Sequence, residues 1–106
     1  MNIKIIKFNR YVEKSGELVP FYTNEFLKLK FKIIRFFFLF GNKKHPRADH
    51  AHLKCNQIII PIKGKVKITV YRKKQKKIFY LSRYKKEAIL IPTLSWIRIN
   101  FFKKDN

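Results

Sequence analysis

Residues 65–71 read Lys-Val-Lys-Ile-Thr-Val-Tyr, in which polar and apolar side chains alternate. Successive side chains of a β-strand point to opposite faces, so Val66, Ile68 and Val70 share one face and the remaining side chains share the other. The first face is apolar and the second is mostly polar, as the wall of a sandwich or barrel requires. The stretch therefore predicts a strand that is buried on one side.

Short runs of Ile, Val, Phe and Tyr, broken by turn residues, recur along the whole chain. Such runs are typical of strands, and many of them at this spacing indicate a sandwich or barrel. Only Thr23–Leu29 is compatible with a short turn of helix, and no repeat, linker or domain boundary is found. We therefore predict one all-β domain over residues 1–106. The candidate strands are Asn2–Phe8, Gly16–Phe21, Phe31–Phe40, Ala48–Leu53, Gln57–Lys63, Lys65–Tyr71, Lys77–Leu81, Ala88–Ile91 and Ser95–Phe102.

Two features are expected to shape the chain around residues 57–71. Lys63-Gly64 predicts a tight turn between two strands, because glycine readily supplies positive φ. Pro61 has no amide hydrogen for a ladder, so it favours a sheet edge or a bulge within Gln57–Lys63.

His50 and His52 are the candidate catalytic residues. On a strand, residues i and i+2 point the same way about 6.5 Å apart, so both imidazoles would face one space. Imidazole takes or gives a proton near neutral pH, which suits acid–base chemistry. The alternative is a chance polar pair on an exposed strand. His45 lies in a lysine-rich loop and is expected to be solvated.

The spacing around these histidines resembles the first motif of the cupin β-barrel family. Gln57 follows His52 after four intervening residues, where a metal-binding cupin has glutamate, and Gly64 follows after six more. In the second motif, which resembles residues 92–97, Ile97 replaces the third histidine. Two ligands of four remain, and a metal site needs charged oxygen and imidazole, so we expect no metal and no cofactor.

Four stretches, residues 15–18, 35–40, 46–52 and 92–96, carry a closer resemblance, which covers residues 2–102 in order. They resemble the metal-free cupins that act as nucleotide-sugar 3,4-ketoisomerases. The resemblance implies a jelly-roll barrel, a homodimer paired through edge strands, and conversion of a dTDP-4-keto-6-deoxyhexose to its 3-keto isomer on the way to a 3-amino sugar. It also implies that His50 removes the C3 proton and that His52 carries a proton to C4.

Four further residues are candidate substrate contacts. The resemblance makes Arg47 a substrate or diphosphate contact. Arg35 is assigned there too, because a charge inside an apolar run needs a partner; otherwise it faces outward on an edge strand. Lys54 is two residues after His52, so it would point to the same face of the strand as the two histidines. There it can stabilise the oxygen of the enediolate intermediate, or else it reaches solvent. Trp96 walls the sugar pocket or stacks on the base, unless it is plain core.

The chain also departs from the family. Phe37 and Phe38 stand where relatives often carry tyrosines, Ser15 replaces an arginine, and Ile97 replaces a polar or basic residue. The family's C-terminal strand and helix are expected to be missing beyond Asn106. These differences favour, as an alternative, a sugar-nucleotide-binding cupin that is non-catalytic or epimerising, and they leave the galacto or gluco product at C4 open.

Net charge is the other conspicuous property, at +20 for 106 residues. It would suit nucleic acid, an anionic membrane or a phosphorylated ligand. However, twenty of the basic residues are lysines and six are arginines, and phosphate recognition favours arginine. We therefore interpret residues 72–77 and Lys85-Lys86 as solvated hairpin tips, and a basic nucleic-acid-binding β-domain is the least favoured alternative.

Compartment and membrane association can also be predicted. No apolar run approaches the ~20 residues of a membrane helix. Lys4 and Lys7 interrupt any signal-peptide core, so secretion is not expected. The single Cys55 cannot form an internal disulfide, which agrees with the cytoplasm.

Overall fold

The computed structural model describes residues 3–51 and 55–102, with only the backbone described at residues 49–51. One short helix, α1 (Thr23–Lys28), and a 3-10 turn (Arg83–Lys85) accompany the strands within these ranges. The all-β class and the single helical turn are therefore confirmed. The strands are β1 (Lys4–Lys7), β2 (Tyr11–Glu13), β3 (Gly16–Leu18), β4 (Arg47–Ala51), β5 (Gln57–Ile59), β6 (Lys65–Arg72), β7 (Gln75–Ser82), β8 (Glu87–Ile91) and β9 (Trp96–Phe101).

The strands form antiparallel sheets. A four-stranded sheet has the order β4-β9-β6-β7, a three-stranded sheet has the order β1-β8-β5, and β2 and β3 form a hairpin. Buried side chains from both larger sheets belong to one hydrophobic cluster, so the inner faces of the two sheets enclose a common core. The cluster consists of Val66, Ile68, Val70, Leu81, Ile89, Ile91, Ile97, Ile99 and Phe101.

Strand β6 follows the predicted alternation. Val66, Ile68 and Val70 are 6%, 0% and 1% exposed, and they face the core. Thr69 differs from the expectation, since it is buried on the outer face of the same strand. The outer face of the four-stranded sheet is therefore only partly exposed to solvent.

The predicted turn at Lys63-Gly64 does not join two paired strands. Gly64 does adopt positive φ, at 74°. However, β5 pairs with β8, whereas β6 pairs with β7 and β9, so the chain crosses from one sheet to the other at this bend. Strand β5 ends at Ile59, before Pro61, and it is an edge strand as the proline predicted.

The predicted strand Phe31–Phe40 is wrong. No strand pairs with this segment in the described part of the chain, and apolar side chains alone do not make a strand without a ladder partner. Leu39 packs against the core, and Gly41 approaches the ring of Phe101 so closely that a Cβ would collide with it. Other apolar side chains of the segment remain exposed, namely Ile33, Ile34, Phe36, Phe37, Phe38 and Phe40.

A charge cluster ties the β2–β3 hairpin to the loop before β8. Lys86 Nζ lies 2.6 Å from Glu17 Oε1 and donates to the carbonyl of Arg83 at 2.7 Å, and Arg10 lies 3.6 Å from Glu17 Oε2. The side chain of Lys86 is only 15% exposed. The interpretation of Lys85-Lys86 as a solvated tip is therefore wrong for Lys86, whose backbone is left-handed with φ 53°.

This cluster predicts a pH dependence of stability. The hydrogen bond from Lys86 lowers the pKa of the Glu17 carboxyl. Desolvation opposes this shift, and the charges of Lys86, Arg10 and Arg83 lower the pKa further. The stabilisation is therefore complete above the ordinary carboxyl pKa near 4.5 and is lost as the pH falls through the lower folded pKa. We expect Glu17→Gln to lower the urea midpoint at pH 7 and to converge with the wild type in acid.

Glu13→Gln is the matched control, because Glu13 is exposed on the same hairpin and forms none of these ion pairs. Its difference from the wild type should be small and should stay the same with pH. A Glu17→Gln difference that does not shrink in acid would contradict the assignment.

Candidate active site

A cavity of about 310 Å³ lies at the inner face of the β6–β7 hairpin. Val70, Arg72, Gln75 and Lys77 line it from the hairpin, together with Lys73 at the tip. Ile3, just before β1 of the other sheet and packed against the core, completes the lining. The cavity thus combines an apolar floor with several cationic side chains.

The strand register connects position 50 to this cavity. His50 lies opposite Ile97 on β9, Ile97 lies opposite Val70 on β6, and Val70 lies opposite Lys77 on β7. Directly opposed residues of antiparallel strands share a face. Position 50 is therefore on the inner face, in a row that crosses the whole sheet and includes two residues of the cavity lining.

A β-bulge in β4 produces this placement. The register shifts between Ala48 and His50: Arg47 lies opposite Ile99, and His50, three residues later, lies opposite Ile97. One extra residue is thus inserted into β4, and Ala48 has φ 73° there. Without this extra residue, positions 47 and 50 would lie on opposite faces of the sheet. Bulges of this kind often re-aim residues beside active sites.

Several predicted site residues cannot be located further. The side chains of Asp49 and His50 lie outside the described part of the chain, as do His52 and Lys54 altogether. Their assignments stay predictions. Arg47 is described and is exposed at the start of β4.

Arg35 and Trp96 are not brought to the cavity. Arg35 is exposed in the unpaired segment, with its guanidinium carbon 5.1 Å from the ring centroid of Phe37. Trp96 is 44% exposed and lies opposite Tyr71 and Ala51, on the outer face of the four-stranded sheet. Trp96 lines a second pocket there, together with Arg72 and Leu94, and its assignment as a wall of the sugar pocket stays a prediction.

Arg72 is a site residue that the sequence interpretation missed. The sequence pattern predicts a solvated tip here, yet Arg72 is half-buried, lines the cavity and donates from Nε to the Thr93 carbonyl at 3.5 Å. The turn that contains Thr93 is itself held by Asn56, whose Oδ1 accepts a hydrogen bond from the Thr93 amide at 2.9 Å. The alternation that buries Val70, carried two residues further, would have found Arg72 on the inner face. Of the predicted tip over residues 72–77, only Lys73 and Lys74 form the turn and are exposed there. Gln75, Lys76 and Lys77 belong to β7, and Gln75 and Lys77 line the cavity.

The electrostatic character of the cavity is positive. Arg72, Lys73 and Lys77 line it, and none of them forms an ion pair with a described carboxylate. Such a concentration of unneutralised cations in a concave site attracts anionic ligands. The cavity is therefore chemically suited to a phosphorylated molecule.

The positions that replace metal ligands of cupins lie on the inner faces of opposite sheets. Gln57 lies opposite the buried Ile91 in β8, and Ile97 is itself part of the core. Within residues 3–48 and 55–102, where side chains are described, no three His, Cys, Asp or Glu residues cluster as metal ligands would. The same part of the chain has no helix long and apolar enough to span a membrane.

Comparison with known proteins identifies the family. Residues 1–106 match the family described as FdtA: WxcM-like, C-terminal, and the chain belongs to that family. A curated relative, the TDP-4-oxo-6-deoxy-alpha-D-glucose-3,4-oxoisomerase of Aneurinibacillus thermoaerophilus, is 30% identical over 69 residues. The match covers 64% of this chain and 48% of the relative, so it spans about half of the relative's length.

Solved structures confirm the cupin-like, all-β fold. A 3,4-ketoisomerase from Helicobacter canadensis superimposes with a TM-score of 0.85 at 22% identity, covering 99% of this chain and 78% of that one, which establishes the fold. A histidine-to-asparagine variant of the 3,4-ketoisomerase QdtA from Thermoanaerobacterium thermosaccharolyticum, in complex with TDP-4-keto-6-deoxyglucose, has a TM-score of 0.84. It is 27% identical, over 98% of this chain and 74% of that one.

Proposed function

We propose that this protein isomerises a dTDP-4-keto-6-deoxyhexose to the corresponding 3-keto sugar. Membership of the family and the activities named for its relatives support the proposal. The observation that carries it is the register of β4, in which the bulge brings position 50 to the inner face that leads to the basic cavity. The 3-keto product is suited to amino transfer, so we assign the reaction to the biosynthesis of a dTDP-3-amino sugar, as used in surface polysaccharide.

The chemistry requires one proton to leave C3 and another to reach C4. His50 removes the C3 proton, and the C3–H electron pair forms a C3–C4 double bond while the C4 carbonyl becomes the enediolate oxygen. His52 then carries a proton to C4, the enediolate oxygen takes up a proton to become the C4 hydroxyl, and loss of the C3 hydroxyl proton leaves the C3 ketone. The two protonations balance the two deprotonations, so no oxidant, reductant or metal is consumed. General acid–base transfer of this kind contributes about 10²–10⁴-fold.

The cations of the hairpin provide a place for the diphosphate. Position 50 and the residues of β6 and β7 in the same row are separated by two to three strand spacings, about 10–14 Å. A sugar over β4 and β9 therefore places its diphosphate over β6 and β7, beside Arg72 and Lys77. Arg47, Arg35 and Lys54 stay predicted substrate contacts, and Lys54 is the candidate to assist the enediolate oxygen.

Proton NMR of dTDP-4-keto-6-deoxyglucose with the purified protein tests the function. We expect the C3 proton to exchange in heavy water and the signals of a 3-keto isomer to appear. A folded protein that leaves the spectrum unchanged would contradict the proposal.

Binding without turnover is the second candidate. It is favoured by Phe37 and Phe38, which offer a substrate no hydroxyl and are exposed in an unpaired segment. In that case dTDP should raise the melting temperature at ~0.2 M salt, because a ligand that binds only the folded state stabilises it, while the NMR spectrum of the sugar stays unchanged. Binding that disappears at this salt concentration would instead indicate a nonspecific polyanion effect.

Metal independence is a separate prediction. Gln57 and Ile97 offer neither charged oxygen nor imidazole where metal-binding cupins have ligands. We therefore expect full isomerase activity after treatment with EDTA, and less than stoichiometric zinc, nickel and iron in protein purified without a histidine tag. Activity that falls with EDTA and returns with one of these metals would contradict the prediction.

We also propose that the protein is a cytoplasmic homodimer. Cys55 is free and exposed, which suits a reducing compartment. Ile34, Phe36 and Phe40 are 86%, 76% and 77% exposed in one segment, and contiguous exposed apolar surface of this kind often marks a protein interface. Light scattering at micromolar concentration should give twice the mass of 12.9 kDa. A monomer would contradict the dimer.

A further inference from the structure

The hydroxyl of Ser95 is buried without a hydrogen-bond partner. Ser95 is 1% exposed, and its Oγ has no partner among the residues that the structure describes. Buried polar groups nearly always have a partner, because an unpaired one costs free energy of folding. An orphaned hydroxyl in a folded protein therefore calls for a ligand or another explanation.

Ser95 lies on the inner face, close to position 50. It precedes β9 by one residue and is two residues from Ile97, which lies opposite His50. Residues related in this way are diagonal neighbours across an antiparallel pair, with about 7–8 Å between them. Ser95 and position 50 are therefore close enough in the sheet to contact the same ligand.

On its other side, Ser95 is close in register to Arg72, which lines the basic cavity. Tyr71 and Trp96 are the last paired residues of β6 and β9 at this end, and Arg72 and Ser95 each lie one residue beyond that pair. The contact of Arg72 with the Thr93 carbonyl holds these two chain segments together. Ser95 is thus positioned between the proposed base and the proposed diphosphate site.

We propose that Ser95 donates a hydrogen bond from Oγ to the C4 oxygen of the bound sugar. This inference rests on the proposed isomerase function. When the C3 proton leaves, negative charge develops on the C4 oxygen, and a donor fixed beside it stabilises the enediolate more than the ketone. The hydroxyl keeps its own proton throughout, so the balance of protons between the histidines and the sugar is unchanged.

Because the Ser95 hydroxyl has no hydrogen-bond partner, the effects of its removal on stability and on kcat distinguish a role in catalysis from a role in folding. Ser95→Ala removes an unsatisfied hydroxyl, so we expect the urea midpoint to stay the same or to rise. The same substitution removes a donor to the transition state, so kcat should fall about 100-fold with much less change in KM. Ser95→Thr retains the hydroxyl and should recover most of the lost kcat.

Thr69→Val is the control, because it removes another buried hydroxyl, from the outer face of β6 and away from the cavity. It should leave kcat within about threefold of the wild type, well short of the loss expected for a transition-state donor. The inference is overturned if Ser95→Ala keeps wild-type kcat. It is also overturned if the variant partly unfolds and its activity falls only in proportion to the loss of folded protein. An inactive wild-type protein would instead refute the proposed function, and a failure of that kind is seen before any variant is made.

Discussion

Replacement of His50 by asparagine is expected to abolish both isomerisation and deuterium uptake at C3. The register places position 50 on the inner face, and the proposed base is the only group assigned to remove the C3 proton. Its loss should cost about 10²–10⁴-fold in rate. Asparagine is a tolerable substitution on a strand, at roughly 1 kcal/mol of stability, so the variant should remain folded.

Replacement of His52 by asparagine should separate the two proton transfers. The enediolate can still form and collapse backwards, so C3 exchange continues while the 3-keto product forms slowly. Proton NMR in heavy water follows both events in one experiment. Equal loss of C3 exchange in the two variants would refute the separate roles of the histidines, but both would still belong to the active site. Wild-type turnover by His50→Asn would show that His50 is not the base.

His45→Asn is the matched control for both variants. His45 is the third histidine of the chain and is exposed in the loop before β4, as predicted. Its replacement makes the same chemical change a few residues away and should leave the rate unchanged. A loss of activity in this variant would indicate that disturbance of the loop, and not loss of the base, explains the His50 result.

Replacement of Arg72 by leucine is expected to weaken substrate binding strongly. Arg72 is half-buried at the cavity, and a hydrogen bond to a charged group is worth about 1.5–3 kcal/mol. We therefore expect KM for the nucleotide sugar to rise about 10- to 100-fold with a smaller change in kcat. The affinity for dTDP should fall by the same factor, which titration calorimetry can measure.

Lys74→Leu controls for the change in net charge. Lys74 is at the tip of the same hairpin but does not line the inner cavity. Its loss should change KM only slightly, and the effect should vanish with added salt, since exposed charges are screened. Equal effects of the two substitutions would mean that the overall positive field attracts the substrate and that Arg72 has no specific role.

The alternation of residues 65–71 predicted β6 correctly, and the charged cluster after it, interpreted as a hairpin tip, contains the β6–β7 turn at Lys73 and Lys74. Both features depend on neighbours in the sequence, because strand periodicity and a short hairpin are local properties. The same local reasoning failed for Phe31–Phe40 and for the turn at Lys63-Gly64. A strand exists only where another strand pairs with it, and the sequence pattern does not name that partner.

For the candidate site, the chemistry stays a prediction from the sequence, and the structure adds the strand register around position 50. The His-x-His pattern and the family resemblance suggested the reaction, and they placed His50 at its centre. Simple alternation from Arg47 would have put His50 on the outer face, however, and no glycine in β4 marks the bulge that reverses this. Trp96 lies on the outer face of the sheet, and Arg72, which lines the cavity, was not among the predicted site residues.

The sequence by itself determined the all-β class and the family, because these follow from side-chain periodicity and from short motifs, and the same motifs predict the acid–base residues. The tertiary structure decided which face of the sheet each residue occupies. The insertion of one residue at Ala48 is defined by pairing with β9, about fifty residues away in the chain. The cavity likewise requires Ile3 to meet the β6–β7 hairpin. Such long-range pairings result from the balance of packing and hydrogen bonding over the whole domain, which no local pattern contains.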